Sequence, residues 1–560
     1  MNTKEEIKKI VDLAVCNLAL GDFNLDEIVI VKPNGPHGDY ATNASFFLAG
    51  KIKKNPIEVS GLLLGEIEKI KSVKIDRVEA VGGFINFYLK KEVFDENINQ
   101  ILKGKSNFGK NDVLKNKKII VEYTDPNILK EFHIGHLMSN AIGESISRIL
   151  QFSGAKIKRV TWQSDVGISI AKAVFGKIKN VELSWQQAYV FGTKEYEEND
   201  LAKQEITALN KKIFERSDKV VNKVYDEGKK WSLKYFEKIY ATLGSKFVFL
   251  IFESQSVNLA KKIIADGLKK NIFEKGDNGA IIFKGEKYGL HTRVFINSQG
   301  LPTYEAKEMA LAKIKYEKYK YDMSVVITGN EVNDYFKVMM CAMAQIFPGL
   351  QQKTTHIGHG MMRLPEGKMS SRSGTAVTFE SLLDQLEKMV AEKISDRDLA
   401  QIEKKEICEK VAVGALKYSI LKQSANSDII YNAEKSINFQ GDSGPYLQYA
   451  LARAISILNK AKQEKIKISL EKIPDQISSF VKMMLYFPDV IQKASQELEP
   501  HIIALYLMEL ASAFNYYYAE NKIVDINDEF SGYKVALTQA FVVIIKNGLW
   551  LLGVPVLEKM

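Results

Sequence analysis

The spacing of apolar and polar positions changes along the chain and predicts three regions of different architecture. Residues 1–110 combine a Lys/Glu-rich helix, an apolar helix and a later strand-like run, which is typical of a small α+β module. Residues 111–400 alternate apolar strand-like runs with segments of helical spacing, which predicts a parallel sheet with crossover helices. Within them, residues from about 176 to 290 are rich in charge and look helical, so we interpret them as an insertion. Residues 401–560 have helical spacing throughout.

One strand, turn and helix in the second region form a compact signal. The apolar run at residues 118–123 predicts a buried strand, residues 124–127 have turn chemistry, and residues 134–150 place apolar side chains at helical spacing. The string H-I-G-H at residues 133–136 falls on the first turn of that helix. Free backbone N–H groups and the positive end of the helix dipole attract phosphate there. The carboxyl end of a strand in an open α/β sheet is also where ligands bind.

The residue types of this copy suit a triphosphate. His133 and His136 lie three residues apart, so both side chains share one helix face and can donate to phosphate oxygens. Gly135 between them has no side chain, which leaves room for a flat base to press against the backbone. We therefore predict that residues 133–136 bind the phosphates of ATP.

The same string occurs again at residues 356–359 in a different setting. No turn precedes the second copy and no helical spacing follows it, so the sequence predicts an extended segment. We interpret this copy as one without a role in the site. The loop after it, at residues 365–374, has Gly and Ser around Lys368 and Arg372, a composition that suits closure on a polyphosphate.

Composition adds a partner and a compartment to this picture. Lys and Arg exceed Asp and Glu by 78 to 68, and the net charge of +10 favours a polyanion such as nucleic acid. The three cysteines lie far apart, so neither a disulfide framework nor a zinc site is indicated, and we assign no metal ligand. The apolar stretch at residues 535–556 contains Lys546 and Asn547, which favours a buried helix over a membrane span. We expect a cytoplasmic monomer without a signal peptide or a membrane contact.

These motifs resemble those of the class I aminoacyl-tRNA synthetases, which carry an H-I-G-H element and a K-M-S-K-S loop on a Rossmann-type domain. The closer resemblance is to arginyl-tRNA synthetases, and it covers nearly the whole chain. It rests on residues 37–43, 121–137, 301–308, 444–450 and 547–549. The resemblance implies an α/β Rossmann-type catalytic domain at residues 111–400, preceded by an α+β N-terminal module that contacts tRNA at residues 1–110. It also implies an all-α anticodon-binding domain at residues 401–560.

The resemblance further implies roles for individual residues. Those implied to act in catalysis are Lys130, His133, His136 and Lys368. Those implied to bind ATP are His133, Gly135, His136, Lys368, Met369, Ser370 and Ser371. Those implied to bind arginine are Glu122, Asn127, Tyr304 and Glu308.

The chain departs from the family pattern at two of these positions. Ser371 replaces the second lysine of K-M-S-K-S, and Lys130 beside the first H-I-G-H copy is implied to supply the missing charge. Glu308 is one methylene longer than the aspartate that usually follows the pocket tyrosine, so the pocket has to shift slightly while its charge is kept.

The function implied is ATP-dependent ligation of L-arginine to its tRNA through arginyl-adenylate, releasing AMP and pyrophosphate, with Mg²⁺ assisting. Two alternatives stay open. A smaller nucleotidyltransferase or carboxylate–amine ligase could share the H-I-G-H site, but it would not need the N-terminal module or the helical domain. A non-catalytic RNA-binding paralogue is the other, and the presence of His133, His136, Lys368 and Tyr304 argues against it.

Overall fold

The computed structural model describes residues 3–21, 23–33, 35, 37–363 and 377–559. The chain divides into two compact units. One unit contains Met1–Gly109, Arg453–Val490 and Glu509–Asn547. The other contains Lys110–Ala452, Ile491–Met508 and Gly548–Met560. The domain boundaries at residues 110 and 400 stay a prediction.

The described part of residues 3–104 is an α+β module. Its elements are α1 (Thr3–Asn17), β1 (Ile30–Val31), β2 (Tyr40–Thr42), α2 (Ala44–Ile52), α3 (Pro56–Glu68), β3 (Ile75–Val81), β4 (Phe84–Leu89) and α4 (Lys91–Gly104). The strands pair antiparallel in the order β1-β2-β4-β3. Gly82 and Gly83, both with positive φ, connect β3 to β4 in the two-residue turn that a tight hairpin requires.

A five-stranded parallel sheet organises the other unit, in the order β12-β11-β5-β6-β7. The elements from residue 118 to 269 are β5 (Lys118–Glu122), α5 (Ile134–Phe152), β6 (Lys156–Gln163), α6 (Ile168–Lys179), α7 (Trp185–Glu198), α8 (Asp200–Glu215), α9 (Lys219–Thr242), β7 (Phe249–Phe252) and α10 (Glu253–Lys269). Those from residue 274 to 363 are β8 (Glu274–Lys275), β9 (Ile281–Phe283), β10 (Arg293–Ile296), α11 (Tyr304–Lys318), β11 (Met323–Gly329), α12 (Asn333–Ile346), α13 (Pro348–Gln351), β12 (Thr354–His359) and β13 (Met362–Arg363).

The segment interpreted as a helical insertion, residues 176–290, is not helical throughout. Helices α7–α10 lie within it, but so does β7, which pairs parallel with β6 and forms one edge of the main sheet. A small antiparallel sheet of β8, β9 and β10 follows. Strand β7 has only four residues, and such short apolar runs cannot be told from helix by periodicity alone.

The described residues after 376 are mostly helical. They form α14 (Phe379–Lys393), α15 (Gln401–Leu421), β14 (Ile429–Ile430), α16 (Ala433–Ser436), α17 (Gly444–Gln463), α18 (Ser479–Met484), α19 (Phe487–Glu497), α20 (His501–Glu520) and α21 (Ser531–Leu551). Helix α21 is long and apolar enough to cross a membrane by length and composition, but 78% of its most apolar window is buried inside the protein. That burial is typical of a core helix.

Candidate active site

A cavity of about 400 Å³ lies at the carboxyl edge of the parallel sheet. Neighbouring strands contribute to its wall where each one ends: Thr124 follows β5, Ser164 follows β6, Thr328 is near the end of β11, and His359 ends β12. The predicted site residues Asn127, His133, Gly135, His136 and Tyr304 also line it. The structure therefore brings most of the described candidate residues to one cavity, at the sheet edge where such folds bind ligands.

Helix α5 begins at the first H-I-G-H copy with a reciprocal cap. The Nδ1 atom of His133 accepts a hydrogen bond from the Gly135 N–H at 3.1 Å, and the Nδ1 atom of His136 accepts one from the His133 N–H at 3.3 Å. The two rings stack with their centroids 3.6 Å apart. Because both Nδ1 atoms accept, each neutral ring carries its proton on Nε2 and can donate from there. A Cβ atom at Gly135 would lie 3.0 Å from Cε1 of His133, so the stack leaves little room for any other residue.

Burial keeps both histidines neutral. Burial and then the charge of Lys130 lower the pKa of His133 to about 4. The pKa of His136 falls well below its usual value through burial, His133 and Lys130 in turn. At neutral pH the site therefore offers two aligned N–H donors without the positive charge that two imidazolium ions would bring.

The turn before this helix has a strained backbone. Thr124 and Asp125 have φ values of 82° and 38°, in the left-handed region that non-glycine residues seldom adopt. Two hydrogen bonds hold the turn: the backbone N–H of Thr124 donates to Ser139 Oγ at 2.9 Å, and the backbone N–H of Trp162 donates to the Asp125 carboxylate at 2.6 Å. Strain of this kind costs about 1–3 kcal/mol per residue and clusters at functional sites.

The four candidate arginine-binding residues separate into two groups. Asn127 and Tyr304 line the cavity, whereas among the described residues its wall does not include Glu122 or Glu308. Glu122 is 1% exposed and forms a buried ion pair with Lys315 at 2.8 Å. Burial and then repulsion from Glu122 raise the pKa of Glu308 to about 8. Both acids also raise the pKa of Tyr304, after burial, so their field reaches the tyrosine that lines the cavity.

Three carboxylates that the sequence did not predict line the cavity, namely Asp125, Glu253 and Glu331. Glu253 is paired with Lys307 and accepts a hydrogen bond from Ser164 Oγ at 2.5 Å. Burial and then Glu122 raise the pKa of Asp125 well above its usual value. Asp125 lies in the same turn as Asn127, and the sequence indicates a turn at this position but no role in the site. Glu253 directly follows β7. Because the sequence predicts a helical insertion there, it does not predict that a strand of the main sheet ends beside this residue.

The remaining candidates have mixed outcomes. The Lys130 ammonium lies 4.2 Å from the centroid of the Tyr189 ring and acts on both histidines through its charge. Among the described residues the cavity wall does not include it. The loop residues Lys368, Met369, Ser370 and Ser371 lie outside the described residues.

The second H-I-G-H copy is extended, as predicted, and forms β12. His356 stacks on Phe336 at a centroid distance of 3.8 Å, and its Nε2 lies 2.8 Å from Thr328 Oγ1. His359 donates from Nδ1 to the Gly360 carbonyl at 2.7 Å and lines the cavity. The structure therefore places His359 of the second copy at the cavity wall, and the interpretation that this copy has no role in the site stays a prediction.

Three family profiles match the chain in succession. Residues 2–89 match the arginyl tRNA synthetase N-terminal domain, residues 97–433 match the catalytic domain of class I (R) tRNA synthetases, and residues 447–560 match the DALR anticodon-binding domain. These matches and the sheet topology confirm the predicted fold class: a class I α/β catalytic domain with an N-terminal module and a helical C-terminal domain.

Individual relatives span the same length. The arginine–tRNA ligase of Borreliella burgdorferi is 30% identical over 592 residues, with all of both chains covered. That of Clostridium acetobutylicum is 30% identical over 577 residues, with 99% of each covered. The solved structure of the Thermus thermophilus arginyl-tRNA synthetase shares the fold with a TM-score of 0.77 at 22% identity, and all of both chains is covered.

Proposed function

The chain belongs to the arginyl-tRNA synthetase family, and we propose that the cavity at the carboxyl edge of its sheet is where arginine and ATP react. The protein is an arginine–tRNA ligase, which joins L-arginine to tRNA at the expense of ATP. The observation that carries the assignment of the cavity is the stacked pair His133–His136 at the start of α5, in the same cavity as Asn127 and Tyr304.

In this proposal the triphosphate lies against the start of α5. The Nε2–H groups of His133 and His136 donate to its oxygens, and the positive end of the dipole of α5 adds to the attraction. The arginine carboxylate attacks the α-phosphorus in line, the bond to the bridging oxygen breaks, and pyrophosphate leaves. The protein forms no covalent bond, so its contribution is orientation and stabilisation of the charge on the departing pyrophosphate. The tRNA then accepts the arginyl group from the adenylate and AMP is released.

Lys368 and its neighbours Met369, Ser370 and Ser371 are proposed to close over the phosphates. The proposal for these four residues rests on the resemblance of their sequence alone, and Ser371 leaves the loop one lysine short. Lys130 is proposed to supply that charge, because its field already reaches both histidines.

Arginine is proposed to lie with its guanidinium toward Tyr304 and the buried acids, and with its backbone toward Asn127. Glu308 and Glu122 both raise the pKa of Tyr304, so an ionised Glu308 would favour a cation at this end of the cavity. Because burial and then Glu122 raise the pKa of Glu308 to about 8, its carboxyl group is mostly protonated at pH 7. A bound guanidinium favours the ionised form, so arginine binding releases this proton and strengthens as the pH rises from 7 to about 8.5.

Magnesium fits this site as an ion that the triphosphate carries. Among the described residues there is no group of three or more His, Cys, Asp or Glu side chains that could hold a metal by itself. Mg²⁺ usually keeps several waters and binds one or two carboxylates together with substrate phosphates, and Glu331 and Asp125 are carboxylates on the cavity wall. We propose that Glu331 and Asp125 would hold such an ion, which would offset the negative charge of the phosphates.

Each of the three predicted regions is proposed to have its own role toward arginine, ATP and tRNA. We propose that residues 1–110 contact the tRNA outside the anticodon, that residues 401–560 bind the anticodon, and that residues 111–400 hold the reaction. All three cysteines are free, as is usual in a reducing compartment, so we propose a cytoplasmic enzyme. A monomer is proposed as its working form, which light scattering at enzyme-assay concentrations tests.

Exchange of labelled pyrophosphate into ATP tests the proposed function. We expect exchange with arginine alone among the amino acids, and much faster exchange when tRNA is present. Exchange driven by another amino acid would contradict the arginine assignment.

Two substitutions on α11 test the arginine end separately. Glu308→Gln should raise the KM for arginine about 10-fold or more with little change in the KM for ATP, because a charged partner of the guanidinium is lost. It should also abolish the improvement of arginine binding between pH 7 and 8.5. Glu317→Gln, an exposed acid on the same helix, is the matched control. An equal rise in both KM values in E308Q would place this acid outside the arginine pocket.

A further inference from the structure

The edge of the parallel sheet opposite the cavity carries a row of lysines. Lys118 and Lys156 are the first residues of β5 and β6, and they are direct partners in the strand register. Lys320 lies three residues before β11, and Lys353 immediately precedes β12. Because all four strands are parallel and adjacent, these lysines stand along one edge, with neighbouring strands about 4.8 Å apart.

Tyrosine rings lie between these lysines. The ammonium groups of Lys320 and Lys353 are 4.6 Å and 5.7 Å from the centroid of Tyr316. Those of Lys118 and Lys158 are 5.9 Å and 5.7 Å from the centroid of Tyr319. Lysines and aromatic rings therefore alternate along the edge, which is the composition of surfaces that bind unpaired nucleic acid strands.

A second cavity of about 350 Å³ opens within this row. Its lining includes the apolar side chains of Tyr316, Phe347 and Leu350 together with Lys320 and Lys353. Apolar side chains and ammonium groups lining one cavity suit a ligand that has an aromatic ring joined to a phosphate. The volume lies within the range of pockets that hold small organic groups.

The lysines of this edge outnumber the nearby carboxylates of Asp322 and Glu317. Asp322 accepts a hydrogen bond from the backbone N–H of Lys118 at 2.8 Å, and Glu317 lies 3.9 Å from Lys313. In the part of the chain that the structure describes, no carboxylate lies within 4.0 Å of the ammonium groups of Lys118, Lys156 or Lys320. A polyanion that binds along the edge can therefore neutralise several charges at once.

We propose that this lysine–tyrosine edge binds an unpaired RNA strand, with phosphates along the lysine row and bases stacked on Tyr316 and Tyr319. The site is separate from the catalytic cavity. Strand β5 has five residues between the two edges, which corresponds to roughly 16 Å. The RNA strand is therefore a partner other than the tRNA end that enters the cavity.

Fluorescence anisotropy with a short labelled oligouridylate and the full-length enzyme tests the proposal, with excess unlabelled tRNA to occupy the substrate surfaces. The combined variant Lys118→Glu, Lys156→Glu, Lys320→Glu should bind the oligonucleotide at least about 10-fold more weakly. The dependence of log affinity on log salt should lose about two units of slope, since each lost phosphate contact on a single strand removes about 0.7. Charging of tRNA should be unchanged.

The matched control is Lys203→Glu, Lys223→Glu, Lys230→Glu, which makes the same charge change at exposed lysines of α8 and α9. It should retain oligonucleotide binding within about twofold. Equal loss in both triple variants would overturn the proposal, as would unchanged binding in the first one. A raised KM for tRNA in the first variant would also overturn it, because the edge would then belong to the substrate tRNA.

Stacking is tested without a change of charge. Tyr316→Leu should weaken oligonucleotide binding about fivefold or more, and Tyr316→Phe should keep it, because base stacking needs the ring and not the hydroxyl. If the triple glutamate variant melts at a lower temperature than the enzyme, the corresponding glutamine variant and the Tyr316 pair provide the same comparison. Equal affinity of Y316L and Y316F would contradict the stacking.

Discussion

The chain contains one tetrapeptide in two conformations. At residues 133–136 it caps a helix, and both rings turn to the same side and stack 3.6 Å apart. At residues 356–359 it is a strand, in which residues three apart face opposite sides. His359 accordingly lines the catalytic cavity, while His356 stacks on Phe336 and lines a different cavity.

The two copies also differ in the hydrogen bonds that their rings can offer. His133 and His136 accept backbone N–H groups at Nδ1, so their Nε2 atoms donate. His359 donates from Nδ1 to the Gly360 carbonyl, so in its neutral form Nε2 is an acceptor. The first pair therefore suits phosphate oxygens, and His359 suits a donor such as a ribose hydroxyl or an exocyclic amine. Backbone conformation, rather than the four residue types, therefore determines which hydrogen bonds this string can offer a ligand.

The largest expected effect tests the donor role of the first copy. His136→Ala should lower the rate of ATP–pyrophosphate exchange by about 100-fold or more, because it removes a preorganised donor aimed at developing charge. The loss should appear in kcat more than in the KM for ATP. His136→Asn, which can keep an N–H donor near the same place, should recover part of the rate. A fall of less than about fivefold in H136A would mean that the triphosphate lies elsewhere.

A smaller effect is expected at the second copy. His359→Ala should raise the KM for ATP about 10-fold with little change in kcat, because one neutral hydrogen bond to the bound nucleotide contributes about 1.4 kcal/mol in both ground and transition states. His356→Ala is the internal control, since its ring faces away from the catalytic cavity. Equal losses in H359A and H136A would remove the functional distinction between the two copies.

Local pattern was enough to predict the first copy and not the second. The strand β5, its turn and helix α5 follow one another within residues 118–152, so apolar spacing and turn chemistry define them directly. The direction of His359 depends on the register of β12 against β11, where Gly329 is its partner. That pairing joins segments that no local periodicity connects, so the sequence predicted the strand but not which face meets the cavity.

At the arginine end of the site, too, local spacing does not predict which side chains reach the cavity. Tyr304 and Glu308 are four residues apart on α11, a spacing that predicts a shared face, yet only Tyr304 reaches the cavity wall among the described residues. Glu122 pairs with Lys315, which is far away in sequence and on a helix whose packing determines the contact. Asp125 and Glu253 can be recognised as site residues only when the sheet order is known, because it brings the carboxyl ends of β5 and β7 to the same edge.

The two H-I-G-H copies also differ in the charged residue that lies near them, which is Lys130 for the first copy and Glu331 for the second. The charge of Lys130 lowers the pKa of both histidines at the first copy, whereas Glu331 acts in the opposite direction on His359. Lys130→Gln should reduce exchange about fivefold, since a half-exposed cation loses much of its effect to solvent screening. Lys130→Arg should keep most of the rate, and high salt should narrow the difference between enzyme and variant. If K130Q kept the full exchange rate, Lys130 would not be the residue that supplies the charge of the loop lysine replaced by Ser371.

The smallest expected effect is a nearly flat pH profile. Burial lowers the pKa of His133 to about 4 and lowers that of His136 well below its usual value, so both rings are neutral between pH 6 and pH 8. At saturating arginine, which holds Glu308 ionised, the exchange rate should therefore change by less than about twofold between pH 6 and 8. A free histidine would titrate near 6.5 in the middle of that range. A limb at pH 6.5 that disappears in His133→Gln would show that these rings act as cations, and the contrast in hydrogen-bond polarity with His359 would then be lost.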